Sequence, residues 1–249
     1  MQIFDSLISW VYPPRCVACD KDQSAVLARD AARFEYPEPK VNRFLCADCM
    51  FSIGEWTPSC PSCRAPSDGG YLCGSCLEAQ PSFPVSRLIA YGNYDDRKLA
   101  VAIKALKFRR LTKVAEPLGE LLGERFREQI AMSDVTKRRV VLTPVPLSAL
   151  RQRWRGFFQA QLLAENVGRE LALPVELLAR RIVHTAPQTK LTEEARKLNV
   201  ANSFASITSD RYDLVVIVDD VWTTGSTTCA VAGCLREQCN EIWSLVLAA

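Results

Sequence analysis

A run of apolar residues that ends in two carboxylates places the strongest constraint on the fold of this chain. The segment Leu214–Val218 holds five consecutive apolar side chains, most of them β-branched. That pattern is typical of a strand buried on both faces of a parallel sheet. Asp219 and Asp220 follow directly, and a helix-like segment spans Ser226–Gln238. The sequence therefore predicts an α/β domain with two acids at the carboxyl end of a buried strand.

The loop between the acids and the helix consists of small polar residues. Its members are Thr223, Thr224, Gly225, Ser226 and Thr227. Backbone N–H groups at a helix start favour an anion, and a glycine lets that anion approach closely. Ionised carboxylates accept hydrogen bonds but donate none, so the acids suit sugar hydroxyls or a metal. A phosphate on the loop and a diol on Asp219 and Asp220 describe a ribose 5-phosphate. The alternative is an ordinary strand, turn and helix with incidental polar residues.

The segment Val218–Thr227 resembles the signature of type I phosphoribosyltransferases. The resemblance implies that Asp219 and Asp220 are the catalytic-site acids and that the loop binds the 5-phosphate. In purine-salvage members an Asp commonly occupies the position of Thr223 and acts as a base toward the nucleobase. Its absence here argues against purine salvage.

Eight of the eleven cysteines form four Cys-x-x-Cys pairs. They are Cys16 and Cys19, Cys46 and Cys49, Cys60 and Cys63, and Cys73 and Cys76. Two such pairs supply the four thiolates of a structural zinc site, so eight cysteines predict two closed sites without catalysis. The pairs combine either in sequence order or interleaved, and both arrangements are open at this stage. Disulfides are the alternative, disfavoured by the reducing compartment that we expect.

Proline positions and composition divide the chain into two predicted domains. A cysteine-rich zinc-binding domain is expected over residues 1–80 and an α/β domain over residues 86–249, joined by a link that contains Pro81 and Pro84. Hydrophobic residues make up 48% and charged residues 24% of the chain, as in ordinary soluble proteins. The first eleven residues have no basic lead, and no apolar run approaches the roughly 20 residues of a membrane span. A cytoplasmic location is the expectation.

Basic residues concentrate in the first part of the second domain. The segment Arg97–Arg155 carries 15 basic and 5 acidic side chains. Such an excess attracts polyphosphate or nucleic acid. The alternative is a solvated, amphipathic helical surface.

The motifs of the second domain resemble the ComF family of competence-associated, phosphoribosyltransferase-like proteins, also called GntX-like. The resemblance rests on the zinc-binding cysteines, Leu106-Lys107-Phe108, Pro144-Val145-Pro146-Leu147, Arg151, the run Arg155–Ala160, the spaced set Arg181, Thr185, Gln188, Leu191, Arg196, Asn199 and Phe204, and the Asp219–Thr227 loop. Phe158 departs from the family pattern, in which Asn is usual. The resemblance implies a role in the uptake or processing of single-stranded DNA during transformation, beside a helicase-like partner.

Two functions follow from these residues. Phosphoribosyl pyrophosphate would need Mg²⁺ and cations for its pyrophosphate, and Arg151, Arg155 and Arg196 are the candidate ligands. No residue identifies the acceptor, and so catalytic turnover is an open question.

The function that competes with phosphoribosyl transfer is non-enzymatic binding of single-stranded DNA or an adaptor role. The candidate DNA-binding residues are Lys104, Lys107, Arg109, Arg110 and Lys113, with Trp154 and Phe157 as candidate stacking partners.

Overall fold

The structure is a computed structural model in which the described residues are 15–24, 44–108, 111–131, 134–147, 153, 156–182 and 203–249. The cysteine-rich part contains two short helices, α1 (Ala47–Phe51) and α2 (Gly74–Ala79), with a 3-10 turn at Asp68–Gly70 between them. None of the helices in the described ranges is long and apolar enough to cross a membrane.

The second part of the chain alternates strands and helices. Its elements are β1 (Arg87–Gly92), α3 (Arg97–Phe108), α4 (Ala115–Ala131), β2 (Val140–Pro144), α5 (Gln159–Leu171), β3 (Ala179–Arg181), β4 (Phe204–Ser206), β5 (Tyr212–Val221), α6 (Ser226–Cys234) and β6 (Cys239–Ala248). Short 3-10 helices at Thr112–Val114, Asp134–Lys137 and Arg236–Gln238 extend or connect them.

Within the described part of the chain, the main sheet has four strands in the order β1-β6-β5-β2, and every neighbouring pair is parallel. A separate antiparallel pair joins β3 and β4. Because all strands of the main sheet point the same way, their carboxyl ends meet at one edge. This confirms the predicted fold class, a parallel α/β domain preceded by a small cysteine-rich segment.

The sheet is covered on both faces, which explains the unbroken apolar run in β5. Leu214, Val216 and Val218 face the helices α3, α4 and α5. Val215 and Ile217 face the opposite side, where α6 and the β3–β4 pair pack. All five side chains are fully buried, as a central strand of a two-sided parallel sheet requires.

A side-chain cap defines the start of α3, and α6 ends earlier than the sequence predicts. Asp96 caps α3, because its Oδ1 accepts hydrogen bonds from the backbone N–H groups of Lys98 and Leu99, each at 2.9 Å. The helix predicted over Ser226–Gln238 is shorter than expected and ends at Cys234. The chain then makes a 3-10 turn that leads into β6, a strand that the sequence analysis did not predict.

Arg87 connects the cysteine-rich part to the sheet. Its guanidinium lies over the rings of both Tyr71 and Trp243, 4.6 and 4.7 Å from their centroids, and it donates to the carbonyl oxygen of Gly69 at 2.8 Å. Burial lowers the pKa of this guanidinium, although neighbouring groups act in the opposite direction. Cys16, Cys46 and Cys49 of the cysteine-rich part belong to the same buried hydrophobic cluster as Leu99 and Ile103 of α3.

Glu241 is a partly buried acid that three donors hold in place. Its Oε1 accepts from Trp243 Nε1 at 2.6 Å and from Ser86 Oγ at 3.0 Å, and its Oε2 accepts from Arg138 at 2.8 Å. Burial acts to raise the pKa of Glu241, but these donors outweigh burial and lower that pKa below its ordinary value. The ionised form is therefore the one that stabilises the fold.

We expect Glu241→Gln to lower the free energy of unfolding by about 1–3 kcal/mol at pH 7, because it weakens charge-assisted hydrogen bonds. A pKa that is lower in the folded than in the unfolded state contributes stability above the unfolded pKa and loses it as pH falls through the folded one. The difference in the free energy of unfolding between wild type and variant should therefore narrow below a pH of about 4.5. Urea unfolding at pH 7 and pH 4 measures this, and an equal difference at both values would contradict the assignment.

Candidate functional site

The two acids lie where the sequence predicts them, at the carboxyl end of β5. Asp219 is half-buried and Asp220 is 5% exposed. The backbone N–H of Asp220 donates to Asp219 Oδ1 at 2.8 Å. Because β5 is a central strand, both acids are fixed at the edge of the sheet where ligands of open α/β folds bind.

Asp220 is held by two side chains from other elements. Lys107 Nζ, from the last turn of α3, lies 2.8 Å from Asp220 Oδ1. Gln159 Nε2, from the start of α5, donates to Asp220 Oδ2 at 3.4 Å. The buried Gln159 Oε1 has no hydrogen-bond partner among the described residues. The carboxylate is thus charge-compensated and oriented, and an acceptor oxygen is available beside it.

The loop after β5 is shaped by a glycine on a buried indole. Gly225 has φ 69°, in the left-handed region. A Cβ built on it would lie 2.2 Å from the six-membered ring of Trp222, and Trp222 is 1% exposed. Only glycine fits this conformation without strain. The loop backbone therefore lies directly on the indole.

The hydroxyl groups of the loop lie beside the first turn of α6. Thr224 Oγ1 and Ser226 Oγ are 2.7 Å apart, and the backbone N–H of Ser226 points at Thr224 Oγ1 at 3.4 Å. Thr223 and Thr224 are exposed, while Ser226 and Thr227 are half-buried. Two hydroxyl groups thus lie at the N-terminal end of a helix in a partly exposed loop, a combination that suits phosphate binding.

The arginines predicted for pyrophosphate are not placed by the structure. Arg151, Arg155 and Arg196 lie outside the described residues, as do Arg109, Arg110 and Trp154 of the predicted DNA-binding set. In that set Lys104 and Lys113 are exposed and Phe157 is half-buried, whereas Lys107 contacts Asp220.

Lys107 and Gln159 are site residues that the sequence analysis did not assign to the acids. Lys107 was instead grouped with the basic residues of a nucleic-acid surface. Gln159 is 61 positions from Asp220 in the chain, so no spacing rule connects them. The available signal was that both residues belong to motifs shared with the ComF family.

Replacing Lys107 with Met should destabilise the protein by about 3–5 kcal/mol, because it leaves a buried carboxylate without its cation. The double variant Lys107→Met/Asp220→Asn removes both charges, and we expect it to recover most of that loss. Urea unfolding of the wild type and both variants measures the effect. A single variant as stable as the wild type would contradict the structural role of the ion pair.

The eight paired cysteines form two groups, and they combine in sequence order. Among the described residues, the sulfur atoms of Cys16, Cys19, Cys46 and Cys49 all lie within 4.8 Å of one another, as do those of Cys60, Cys63, Cys73 and Cys76. This resolves the question of pairing, and the interleaved arrangement is not observed. All eleven cysteines are free thiols, so the disulfide alternative is not supported either.

The sulfur positions fit zinc. Four thiolates at a Zn–S distance of about 2.3 Å form a tetrahedron with edges of about 3.8 Å. The sulfurs of Cys19 and Cys46 are 3.8 Å apart, and those of Cys63 and Cys73 are 3.7 Å apart. With these distances, each group has the size of a four-cysteine zinc site.

Backbone amides support one thiolate in each cluster. The N–H of Cys46 donates to Cys16 Sγ and the N–H of Cys73 donates to Cys60 Sγ, both at 3.4 Å. Burial acts to raise the pKa of the Cys16 and Cys60 thiols, but these and neighbouring amide donors lower it to about 7 and about 6 respectively. A lowered pKa favours the thiolate form that a metal ion binds.

The three remaining cysteines take no part in these clusters. Cys239 is buried, while Cys229 and Cys234 are partly exposed. Burial raises the pKa of Cys229 to about 12 and that of Cys234 and Cys239 to about 11. These thiols stay neutral near pH 7 and behave as small apolar side chains.

Comparison with solved structures finds only loose similarities. An allosteric regulatory enzyme of purine biosynthesis matches with a TM-score of 0.37 and 19% identity, over 58% of this chain and 30% of that one. A purine phosphoribosyltransferase from Pyrococcus horikoshii matches with a TM-score of 0.30 and 17% identity, over 51% of this chain and 68% of that one. At these TM-scores the similarities carry no weight for function.

Sequence comparison gives a firmer result, although no protein-family model matches the chain. Competence protein F of Haemophilus influenzae is 31% identical over 214 residues, which cover 82% of this chain and 90% of that protein. DNA utilization protein YhgH of Escherichia coli K12 is 33% identical over 211 residues, or 81% of this chain and 89% of the relative. Competence protein ComFC of Bacillus subtilis is 26% identical over 228 residues. Each match covers more than four fifths of both chains, and the chain belongs to the ComF family of competence proteins.

Proposed function

We propose that the loop Thr223–Thr227 and the acids Asp219 and Asp220 bind a ribose 5-phosphate, with phosphoribosyl pyrophosphate as the principal ligand. One observation carries the proposal. The strand that ends in the acids leads directly into a left-handed glycine, a pair of hydroxyls 2.7 Å apart and the first turn of a helix. The two acids suit a diol, and the glycine, the hydroxyl groups and the helix start suit a phosphate.

The two acids have different roles in this proposal. Asp220 is buried and engaged by Lys107 and Gln159, so it acts mainly as a fixed charge that orients the ligand. Asp219 is half-buried and accepts hydrogen bonds from the ribose hydroxyls. The side-chain amide oxygen of Gln159, Oε1, offers a second acceptor for a ribose hydroxyl close to Asp220.

Mg²⁺ would arrive with the pyrophosphate, since this ion usually keeps several waters and binds substrate phosphates with one or two carboxylates. Asp219 is the candidate carboxylate, because it is more exposed than Asp220, which Lys107 and Gln159 contact. Arg151, Arg155 and Arg196 would neutralise the remaining charge of the pyrophosphate. If the ribose is transferred, these groups stabilise the departing pyrophosphate, and the acceptor is left open.

The names of the curated relatives suggest the cellular role. Several are competence proteins or DNA utilization proteins, and we propose that this chain likewise acts in the uptake or use of DNA, beside a helicase-like partner. Direct binding of single-stranded DNA is the second candidate function, supported by the exposed side chains of Lys104 and Lys113. Such binding should weaken steeply with salt and survive substitution of Asp219 and Asp220.

Thermal unfolding with added ligand tests the ribose-phosphate proposal. Phosphoribosyl pyrophosphate with Mg²⁺ should stabilise the wild type by about 2.7 kcal/mol at a hundredfold excess over its Kd. Thr224→Val removes one phosphate donor and should weaken binding by about 1.5–3 kcal/mol. Free ribose is the matched ligand control and should give no shift. An equal shift in wild type and Thr224→Val would exclude the loop as the phosphate site.

A further inference from the structure

A groove runs along α6 between two features of the chain. One is the loop Thr223–Thr227, which we call the phosphate loop, and the other is the second cysteine cluster, formed by Cys60, Cys63, Cys73 and Cys76. Its volume is about 410 Å³, within the range of small-molecule pockets. The groove is lined by Pro61, Ser62, Gln80, Phe83, Thr224, Ser226, Cys229, Ala230 and Gly233. We call it the α6 groove.

The α6 groove starts at the phosphate loop and leads along the helix. Thr224 and Ser226 form its loop end, and Cys229, Ala230 and Gly233 continue along one helical face. The eight helical residues from Ser226 to Gly233 span about 10 Å. Asp219 and Asp220 are not part of its lining. The groove therefore extends from the phosphate position along a wall that the ribose-binding acids do not share.

The opposite wall comes from the second cysteine cluster and the segment that follows it. Pro61 and Phe83 offer ring surfaces, and Ser62 and Gln80 offer neutral hydrogen-bonding groups. None of the described residues that line the groove is charged. Apolar surface combined with a few neutral polar groups suits a heteroaromatic ring with hydrogen-bonding edges, such as a nucleobase.

We propose that the α6 groove holds a nucleobase-bearing group that is joined, through an ester or a phosphoanhydride bond, to the phosphate that the loop binds. The site then takes ribose 5-phosphates that are extended through that phosphate. Two sources present this chemistry: a free nucleotide sugar such as ADP-ribose, and the 3′-terminal nucleotides of an RNA strand. The inference deepens the proposed function and rests on it, because the ribose and phosphate occupy the same acids and loop.

Calorimetric titration of the full zinc-loaded chain tests the proposal with three probes. Ribose 5-phosphate fills only the acids and the loop, ADP-ribose extends through a diphosphate, and the dinucleotide ApA extends through a phosphodiester. At least one extended probe should bind about tenfold more tightly than ribose 5-phosphate, the scale of one base–aromatic contact. The tighter of the two identifies the source.

Two variants assign that gain to the groove. Phe83→Ala removes the aromatic surface. Gly233→Leu fills the groove from the helix side, and it should fold normally because a Cβ on Gly233 meets nothing within 4 Å. Each variant should abolish the tenfold advantage and leave the affinity for ribose 5-phosphate within about twofold of wild type.

The proposal is overturned if neither extended probe gains affinity over ribose 5-phosphate, or if the gain persists in Gly233→Leu. Binding of phosphoribosyl pyrophosphate without any gain for the extended probes would overturn this inference and leave the proposed function intact. Failure of ribose 5-phosphate and phosphoribosyl pyrophosphate to bind would overturn both.

Discussion

Replacing Cys60 with Ser will lower the zinc content from two ions per chain to one and will unfold the segment around the second cysteine cluster. Cys60 is the fully buried member of this cluster, and its sulfur accepts the N–H of Cys73. The segment has little apolar core of its own, since Tyr71 and Leu77 are 38% and 55% exposed. Structural zinc contributes about 10–16 kcal/mol of apparent binding free energy in such small units, so the loss should be large.

Metal analysis and hydrogen exchange together measure this outcome. Exchange should become fast in the segment from Cys60 to Cys76 and remain slow in β5 and β6. Cys234→Ser is the matched control, because Cys234 lies outside both clusters and its sulfur donates only to the carbonyl oxygen of Val231. Two zinc ions per chain in Cys60→Ser would show that the cluster is not a four-cysteine zinc site.

Gly225→Ala will abolish ribose-phosphate binding and destabilise the loop. The backbone at Gly225 has φ 69°, and an added Cβ would lie 2.2 Å from the ring of Trp222. Trp222 is 1% exposed, so any shift of its ring would disturb the buried core around it. A left-handed conformation costs a non-glycine residue about 1–2 kcal/mol, and the clash with the indole adds to it. The loop must shift, and its amides then no longer converge on a phosphate.

Binding and stability of the Gly225→Ala variant are measured separately. We expect an affinity for phosphoribosyl pyrophosphate at least a hundredfold weaker than that of the wild type, corresponding to about 2.7 kcal/mol. Gly233→Ala is the matched control in the same helix, because its added methyl group meets nothing within 4 Å. That control should bind like the wild type. An affinity of Gly225→Ala within about threefold of wild type would contradict the phosphate role of the loop.

Local patterns predicted the parts of the site that are contiguous in sequence. The apolar run Leu214–Val218 indicated a two-sided strand, and the structure buries each of its residues. The acids and the loop follow it directly, so their placement at the strand end needed no tertiary information. The cysteine spacing also indicated two clusters of four, because the ligand pairs are local.

Contacts between distant segments were beyond the reach of the sequence. The ion pair of Lys107 and Asp220 joins the last turn of α3 to the end of β5, two segments that are far apart in the chain. β6 was not predicted. Its position between β1 and β5 in the sheet is set by tertiary packing, which a local sequence pattern does not reveal. The way in which the four Cys-x-x-Cys pairs combine into two sites was likewise open until their sulfur positions were known.

The most direct test of the central claim is a calorimetric titration of phosphoribosyl pyrophosphate with Mg²⁺ into the zinc-loaded protein. The wild type should bind one ligand per chain, and the variant Asp219→Ala/Asp220→Ala, checked for zinc content and folding, should show no binding. No binding by the folded, zinc-loaded wild type would contradict the ribose-phosphate site. Equal binding by both proteins would instead show that the acids at the end of β5 do not form it.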